Sequence, residues 1–152
     1  MKIFCHDSFW MYRAIMLANR AEMEGEIPIG SVVVLDNEII GEGWNKSIQY
    51  SDPSAHAEIV SLRESGKNLN NYRLVNTTIY VTQEPCIMCI GAIINARVKR
   101  LVFGSKSKKN CVINILFKFF PYLMLNNNIS ITYGVLETLC NFQIVDFFKR
   151  KR

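Results

Sequence analysis

Two short runs in this 152-residue chain carry side chains whose types and spacing could do metal chemistry. The first is His56-Ala57-Glu58, inside Asp52-Pro53-Ser54-Ala55-His56-Ala57-Glu58, and the second is Pro85-Cys86-Ile87-Met88-Cys89. One imidazole and two thiolates make three good zinc ligands, and a catalytic zinc keeps its fourth position for water. Cysteines at i and i+3 share a helix face, so Cys86 and Cys89 can grip one ion. A helix N-terminus favours the thiolate form that metal binding needs. Glu58 suits proton transfer better than ligation: a zinc lowers its water's pKa to about 7, and a nearby carboxylate can carry the proton released. Read singly, Cys-x-x-Cys is also a redox pair or half of a four-ligand structural site, which Cys5, His6, Cys111 or Cys140 could complete. A lone His56 is most often a hydrogen-bonded core residue. A paired His-x-Glu has no place in either cysteine alternative, and this favours the catalytic reading.

These residues need elements that bring two distant segments together. Asp7 to Glu24 places Trp10, Ala14, Leu17, Ala18 and Ala21 at helical spacing, with Gly25 as a stop. The valine-rich run Ile29–Leu35, the turn pair Asp36-Asn37 and the run Glu38–Trp44 read as a hairpin. Asp52-Pro53 predicts a helix over Ser54–Glu64, capped by the aspartate and closed near Gly66. Thr77–Thr82 is β-branched and aromatic and reads as a strand. Pro85 then opens a helix over Cys86–Ala96, and Lys99–Phe103 is a further strand. Val112–Phe120 is expected as a helix, Ile129–Tyr133 as a strand and Leu136–Lys149 as a last amphipathic helix. The alternation predicts an α/β domain with a mixed sheet, one domain over residues 1–152.

Composition narrows the function classes. An apolar fraction of 49% with 20% charged residues is that of a globular chain. No uncharged apolar run reaches the length of a membrane span; Cys111 to Leu125 is the nearest and is broken by Lys118 and Pro121. The first fifteen residues include Lys2, His6, Asp7 and Arg13, unlike a signal peptide, and five cysteines fit a reducing compartment, so a cytoplasmic protein is expected. The net charge of +5 is unevenly spread: residues 1–95 hold 7 Lys/Arg against 11 Asp/Glu, and residues 96–152 hold 11 against 2. Such a split suits an anionic partner, nucleic acid first, although a solvated basic face accounts for it equally well.

The pattern His-x-Glu…Pro-Cys-x-x-Cys is the signature of zinc nucleobase deaminases. With Ile27-Pro28-Ile29-Gly30, Gly41-Glu42-Gly43-Trp44-Asn45, Asn71-Tyr72-Arg73-Leu74, Tyr80–Cys89 and Val102-Phe103-Gly104, the chain resembles the cytidine deaminase superfamily and, within it, the tRNA adenosine deaminases. The likeness is tight from Trp10 to Gly104, loose from Ser105 to Ser130, and returns at Gly134-Val135-Leu136 and Asp146-Phe147-Phe148. It implies a three-layer α/β/α sandwich, a homodimer with one Zn2+ per subunit, and hydrolytic conversion of the wobble adenosine of a tRNA anticodon stem-loop to inosine. It places zinc on His56, Cys86 and Cys89, the proton shuttle on Glu58 and a base contact on Asn45, whose own residue-level reading is a turn after Trp44. Lys106, Phe148 and Arg152 would meet RNA: the cations fit phosphates, and Phe148 or its neighbour Phe147 could stack on a base while the other anchors the last helix. The family usually has aspartate where this chain has Ser107, at the position implied to meet the sugar; a hydroxyl can bond a 2′-OH without the charge. The apolar run 112–125 is expected as core or as dimer interface. Two rivals are a free-base or nucleotide deaminase, which shares every zinc residue, and a silent RNA-binding subunit, which has no use for Glu58.

Overall fold

The computed structural model describes residues 2–107, 112–119, 121–122 and 128–152, with backbone alone for 2–5. Helix α1 (Lys2–Met23) ends before a turn at Gly25, whose φ of +83° suits a residue without Cβ. Strands β1 (Gly30–Leu35) and β2 (Glu38–Trp44) form the expected hairpin. Asp36 and Asn37, with φ of 50° and 63°, give the two left-handed positions that a tight primed turn requires. A short helix α2 (Ser47–Tyr50) follows, which sequence patterning does not announce, then α3 (Ala57–Leu69), β3 (Thr78–Gln83) and α4 (Ile87–Asn95). The chain ends with β4 (Arg100–Ser105), α5 (Val112–Phe119), β5 (Ser130–Tyr133) and α6 (Glu137–Arg150).

The five strands form one mixed sheet in the order β2-β1-β3-β4-β5. β1 is antiparallel to β2 and to β3, and β4 is parallel to β3 and β5. Period-two alternation divides the core into two layers. Val33, Ile79, Val81, Leu101 and Phe103 face α3, α4 and α5, where they meet Leu62, Ile90, Ile93 and Leu116. Val32, Val34, Tyr80 and Val102 face α1 and α6, where they meet Met11, Ala14, Leu17 and Cys140. The three-layer α/β/α arrangement with a mixed sheet is the expected one. Ile113 and Leu116 make the inner side of α5 core, whereas Cys111, Phe120 and 123–125 of the apolar run lie outside the described residues.

One helix start departs from expectation. Asp52 does not cap a helix at Ser54; its Oδ1 accepts hydrogen bonds from the Ser54 N–H (2.8 Å) and hydroxyl (2.7 Å). These local bonds compete with helix formation and hold a turn, so α3 begins three residues later, at Ala57. Gly66 does not end it either. The helix runs to Leu69 and closes at Asn70 (φ 49°), whose N–H turns back to the Gly66 carbonyl. The displacement matters because it puts His56 at the cap position and Glu58 in the first turn.

Candidate metal centre and substrate pocket

Both metal-ligating segments sit at helix tips beside the carboxyl ends of the central strands, as an α/β sheet favours for ligand sites. His56 is the N-cap residue of α3 and Cys86 that of α4, each in extended backbone (ψ 155° and 169°). Cys89 lies in the first turn of α4 and is buried. The tip of α3 is fixed from β2. A Cβ on Gly43 would lie 2.3 Å from the Ala57 carbonyl oxygen, so only glycine lets the helix come this close. The Lys46 N–H donates to the Ala55 carbonyl at 2.9 Å, and Asn45 Oδ1 accepts the N–H of Ala57 at 2.9 Å, capping the helix from outside.

The ligand atoms converge. His56 Nδ1 is 3.6 Å from Cys86 Sγ and 3.6 Å from Cys89 Sγ. Ordinary Zn–N and Zn–S lengths at a tetrahedral angle separate nitrogen from sulfur by about 3.6 Å, so the donor set fits zinc in kind and in spacing. Among the described residues it is the one His/Cys/Asp/Glu cluster of three or more able to hold a metal. Cys140, a candidate fourth ligand by sequence, packs on the opposite layer near Gly104. Cys5 and Cys111 lie outside the residues with described side chains.

Electrostatics match the roles. Hydrogen bonds from the Cys89 thiol and from His56 pull Cys86 down to about 4 in the metal-free chain. Cys89 is raised by its bond to Cys86 and by burial, and His56 is raised by its bond to Cys86. Burial pushes Glu58, 4% exposed, up to about 7, where a carboxyl both accepts and releases a proton near neutrality.

A pocket of about 300 Å³ opens on this cluster, its polar wall made by His56, Glu58, Gln83, Glu84, Cys86 and Ser107 and its apolar wall by Ile27, Ile29, Val112, Ile144 and Phe148. That is the lower end of the range for small-molecule sites. Gln83, Ile144 and Phe148 also line an adjoining cavity of about 640 Å³ that adds Lys106, Asn141, Lys149 and Arg152. The structure thus brings His56, Glu58, Cys86, Ser107 and Phe148 around one pocket, with Cys89 behind it and Lys106 and Arg152 next door. Asn45 is 5% exposed and braces the α3 tip rather than lining either cavity. Phe147 is buried and Phe148 is 45% exposed, so the aromatic pair divides its work between anchoring and surface as expected. Sequence reasoning missed Gln83, whose Oε1 is buried without a hydrogen-bond partner among the described residues, and Glu84, whose carboxylate holds two backbone N–H groups. A polar pair directly before Pro85-Cys86 was the available signal.

Residues 5–105 match the sequence profile of the cytidine and deoxycytidylate deaminase zinc-binding region, and the chain belongs to that family. Within it, the chain is 50% identical over 147 residues to the tRNA-specific adenosine deaminase of Haemophilus influenzae, covering 96% of this chain and 85% of that one. It is 37% identical to the Bacillus subtilis protein of the same name, over 96% of this chain and 91% of the relative. A solved structure from work on A-to-I editing by tRNA:A34 deaminases at the wobble position of transfer RNA superposes with a TM-score of 0.82 at 32% identity. That match covers 89% of this chain and 98% of the other. Guanine deaminase from Bacillus subtilis is 39% identical over 64% of this chain, with a TM-score of 0.62.

Proposed function

We propose that this chain catalyses hydrolytic deamination of the wobble adenosine of a tRNA anticodon loop, giving inosine and ammonia, as one zinc-dependent deaminase domain over residues 1–152. The observation that carries the reading is the junction of two cavities. A pocket with the His56/Cys86/Cys89 cluster and a buried carboxyl shares Gln83, Ile144 and Phe148 with a second cavity lined by Lys106, Lys149 and Arg152. A free base needs only the first, whereas a loop of RNA brings phosphates for the second. Relatives named for tRNA adenosine deamination support the same substrate.

His56, Cys86 and Cys89 would hold one zinc per subunit, which when bound polarises water toward hydroxide. Glu58 would take a proton from the attacking water as its oxygen bonds to C6 and give that proton to N1 of adenine. It would then take the second proton from the new C6 hydroxyl and hand it to the C6 amino group, which leaves as ammonia as the C6–N bond breaks. Its pKa of about 7 suits both directions of transfer. Ile27, Ile29 and Val112 exclude bulk water from the flipped base. Asn45 spends its Oδ1 on the Ala57 N–H and so holds the helix tip that presents His56 and Glu58 to the pocket. Phe148 offers a face for stacking, Ser107 a hydroxyl for the sugar, and Lys106 and Arg152 charge for the flanking phosphates.

A homodimer is part of the proposal. Ile87, Met88, Tyr72 and Val75 are exposed on or beside the α4 layer, and an apolar groove of about 830 Å³ runs between α3 and α4. Sedimentation at micromolar concentration should give a dimer; a monomer there contradicts this part. The substrate is tested by incubating zinc-loaded protein with an anticodon stem-loop bearing adenosine at the wobble position, beside free adenosine, free cytidine, guanine and a deoxyadenosine loop. Inosine in the RNA loop is expected. Turnover of a free base or nucleoside with an inert loop would move the protein to the small-molecule branch.

A further inference from the structure

Glu84 stands between the metal-binding tip of α4 and the segment after β4. Its carboxylate is 6% exposed and has no cationic partner among the described residues. Instead, its two oxygens are divided between backbone groups on either side of one segment. Oε2 accepts the N–H of Ser107 at 3.0 Å and Oε1 accepts the N–H of Ile113 at 3.3 Å. Its own N–H donates to the Ser105 carbonyl at 2.8 Å, where the β3–β4 ladder ends with Gln83 beside Ser105. Ile113 is the second residue of α5, so its N–H is one of the orphan donors of a helix start, and Glu84 supplies the missing acceptor from outside. The negative charge also complements the positive end of that helix. Asn45 does the same for α3.

The two groups held are adjacent to substrate. Ser107 itself and Val112, the neighbour of Ile113, both line the pocket that holds His56 and Glu58. We infer that Glu84 is a positioning residue for the deamination, a clasp that fixes the Ser107 and Val112 wall of the pocket relative to the metal ligands, of which Cys86 is two residues away. The inference rests on the proposed RNA-deaminase reading for its effect on substrate, but its physical core, the holding of two N–H groups, does not. A carboxylate is needed because one side chain must offer two acceptor oxygens. Glutamine keeps one, and alanine keeps none.

The test uses full-length zinc-loaded wild type, E84Q and E84A, with three readouts: zinc per chain, amide exchange at Ser107 and Ile113, and KM and kcat on the wobble-adenosine stem-loop. Zinc content should be unchanged. Exchange at both amides should speed up by about tenfold or more in E84A, as expected when a charge-assisted bond is lost, with one of the two spared in E84Q. KM should rise about tenfold in E84A and less in E84Q, because binding must then order the wall, while kcat moves less. Unchanged exchange in both variants overturns the clasp, whatever the substrate proves to be. Faster exchange with unaltered KM overturns its role in positioning. An inert wild type on RNA would count against the RNA reading alone, and the exchange result would still decide the clasp. Should E84A fail to fold, E84Q carries each comparison.

Discussion

The molecule buries two charged clusters, one on each side of its sheet, and treats them oppositely. On the α1/α6 side, Asp7 is 3% exposed and fully satisfied. Arg100 donates to Oδ1 at 2.8 Å and to Oδ2 at 2.7 Å, and the Tyr80 hydroxyl donates to Oδ1 at 2.8 Å. On the α3/α4 side, Glu58 is 4% exposed with no ion-pair partner among the described residues, beside His56 and two cysteines. Burial alone would raise both carboxyls. Arg100 and Tyr80 overcome it at Asp7, which ends below the ordinary aspartate value, while nothing comparable opposes it at Glu58, which ends at about 7. A buried carboxylate with both oxygens hydrogen-bonded and paired to a guanidinium is a rivet between a helix and a strand. One left electrostatically unbalanced at the wall of a pocket can move protons.

Four substitutions separate the two clusters, and a fifth, at Arg152, probes the cavity beside them. The largest effect is expected from His56→Ala or Cys86→Ser, which should abolish both zinc retention and deaminase activity, read by metal analysis and inosine formation. Next is Asp7→Asn. Breaking a buried, bidentate pair should cost about 3–5 kcal/mol of stability in denaturant titrations, with no loss of activity per folded molecule. The sign of its pH dependence follows from the lowered pKa. The stability Asp7 contributes is present above the usual aspartate value of 3.8 and lost as the pH falls through its lower folded value, so the gap between wild type and D7N should close in acid. Glu58→Gln in zinc-stripped protein should do the reverse. A raised carboxyl pKa makes the folded state bind more protons than the unfolded state between pH 4.5 and about 7, so wild type loses stability as the pH rises through that window. The glutamine variant should escape the loss and melt roughly 2–8 °C higher at neutral pH. The smallest effect is expected from Arg152→Ala, which should weaken stem-loop binding a few-fold and reduce the salt slope by about 0.7, one phosphate contact to a single strand.

The sequence made the chemistry legible wherever a few neighbouring residues carry it. His56-Ala57-Glu58 and Pro85–Cys89 each lie within one helix tip, the hairpin is written in Asp36-Asn37, and β-strand alternation separates Val32 and Val34 from Val33. What it hid depends on contacts across the chain. The Asp7–Arg100 pair joins residues 93 apart, and the Glu84 clasp reaches 23 residues to Ser107 and 29 to Ile113. The late start of α3 turned on a competition between two local signals, in which the Asp52–Ser54 turn prevailed over an aspartate cap. The resemblance implies a base contact for Asn45, and the structure shows it capping the helix that presents His56 and Glu58.

We propose that Glu58, beside His56, Cys86 and Cys89, carries the protons of deamination. That role is tested most directly by single-turnover inosine formation on the wobble-adenosine stem-loop by wild type and Glu58→Gln at equal zinc occupancy. A rate about 10²–10⁴-fold lower in the variant, with zinc content and RNA affinity unchanged, is the expected result. Equal rates at equal zinc occupancy would contradict it.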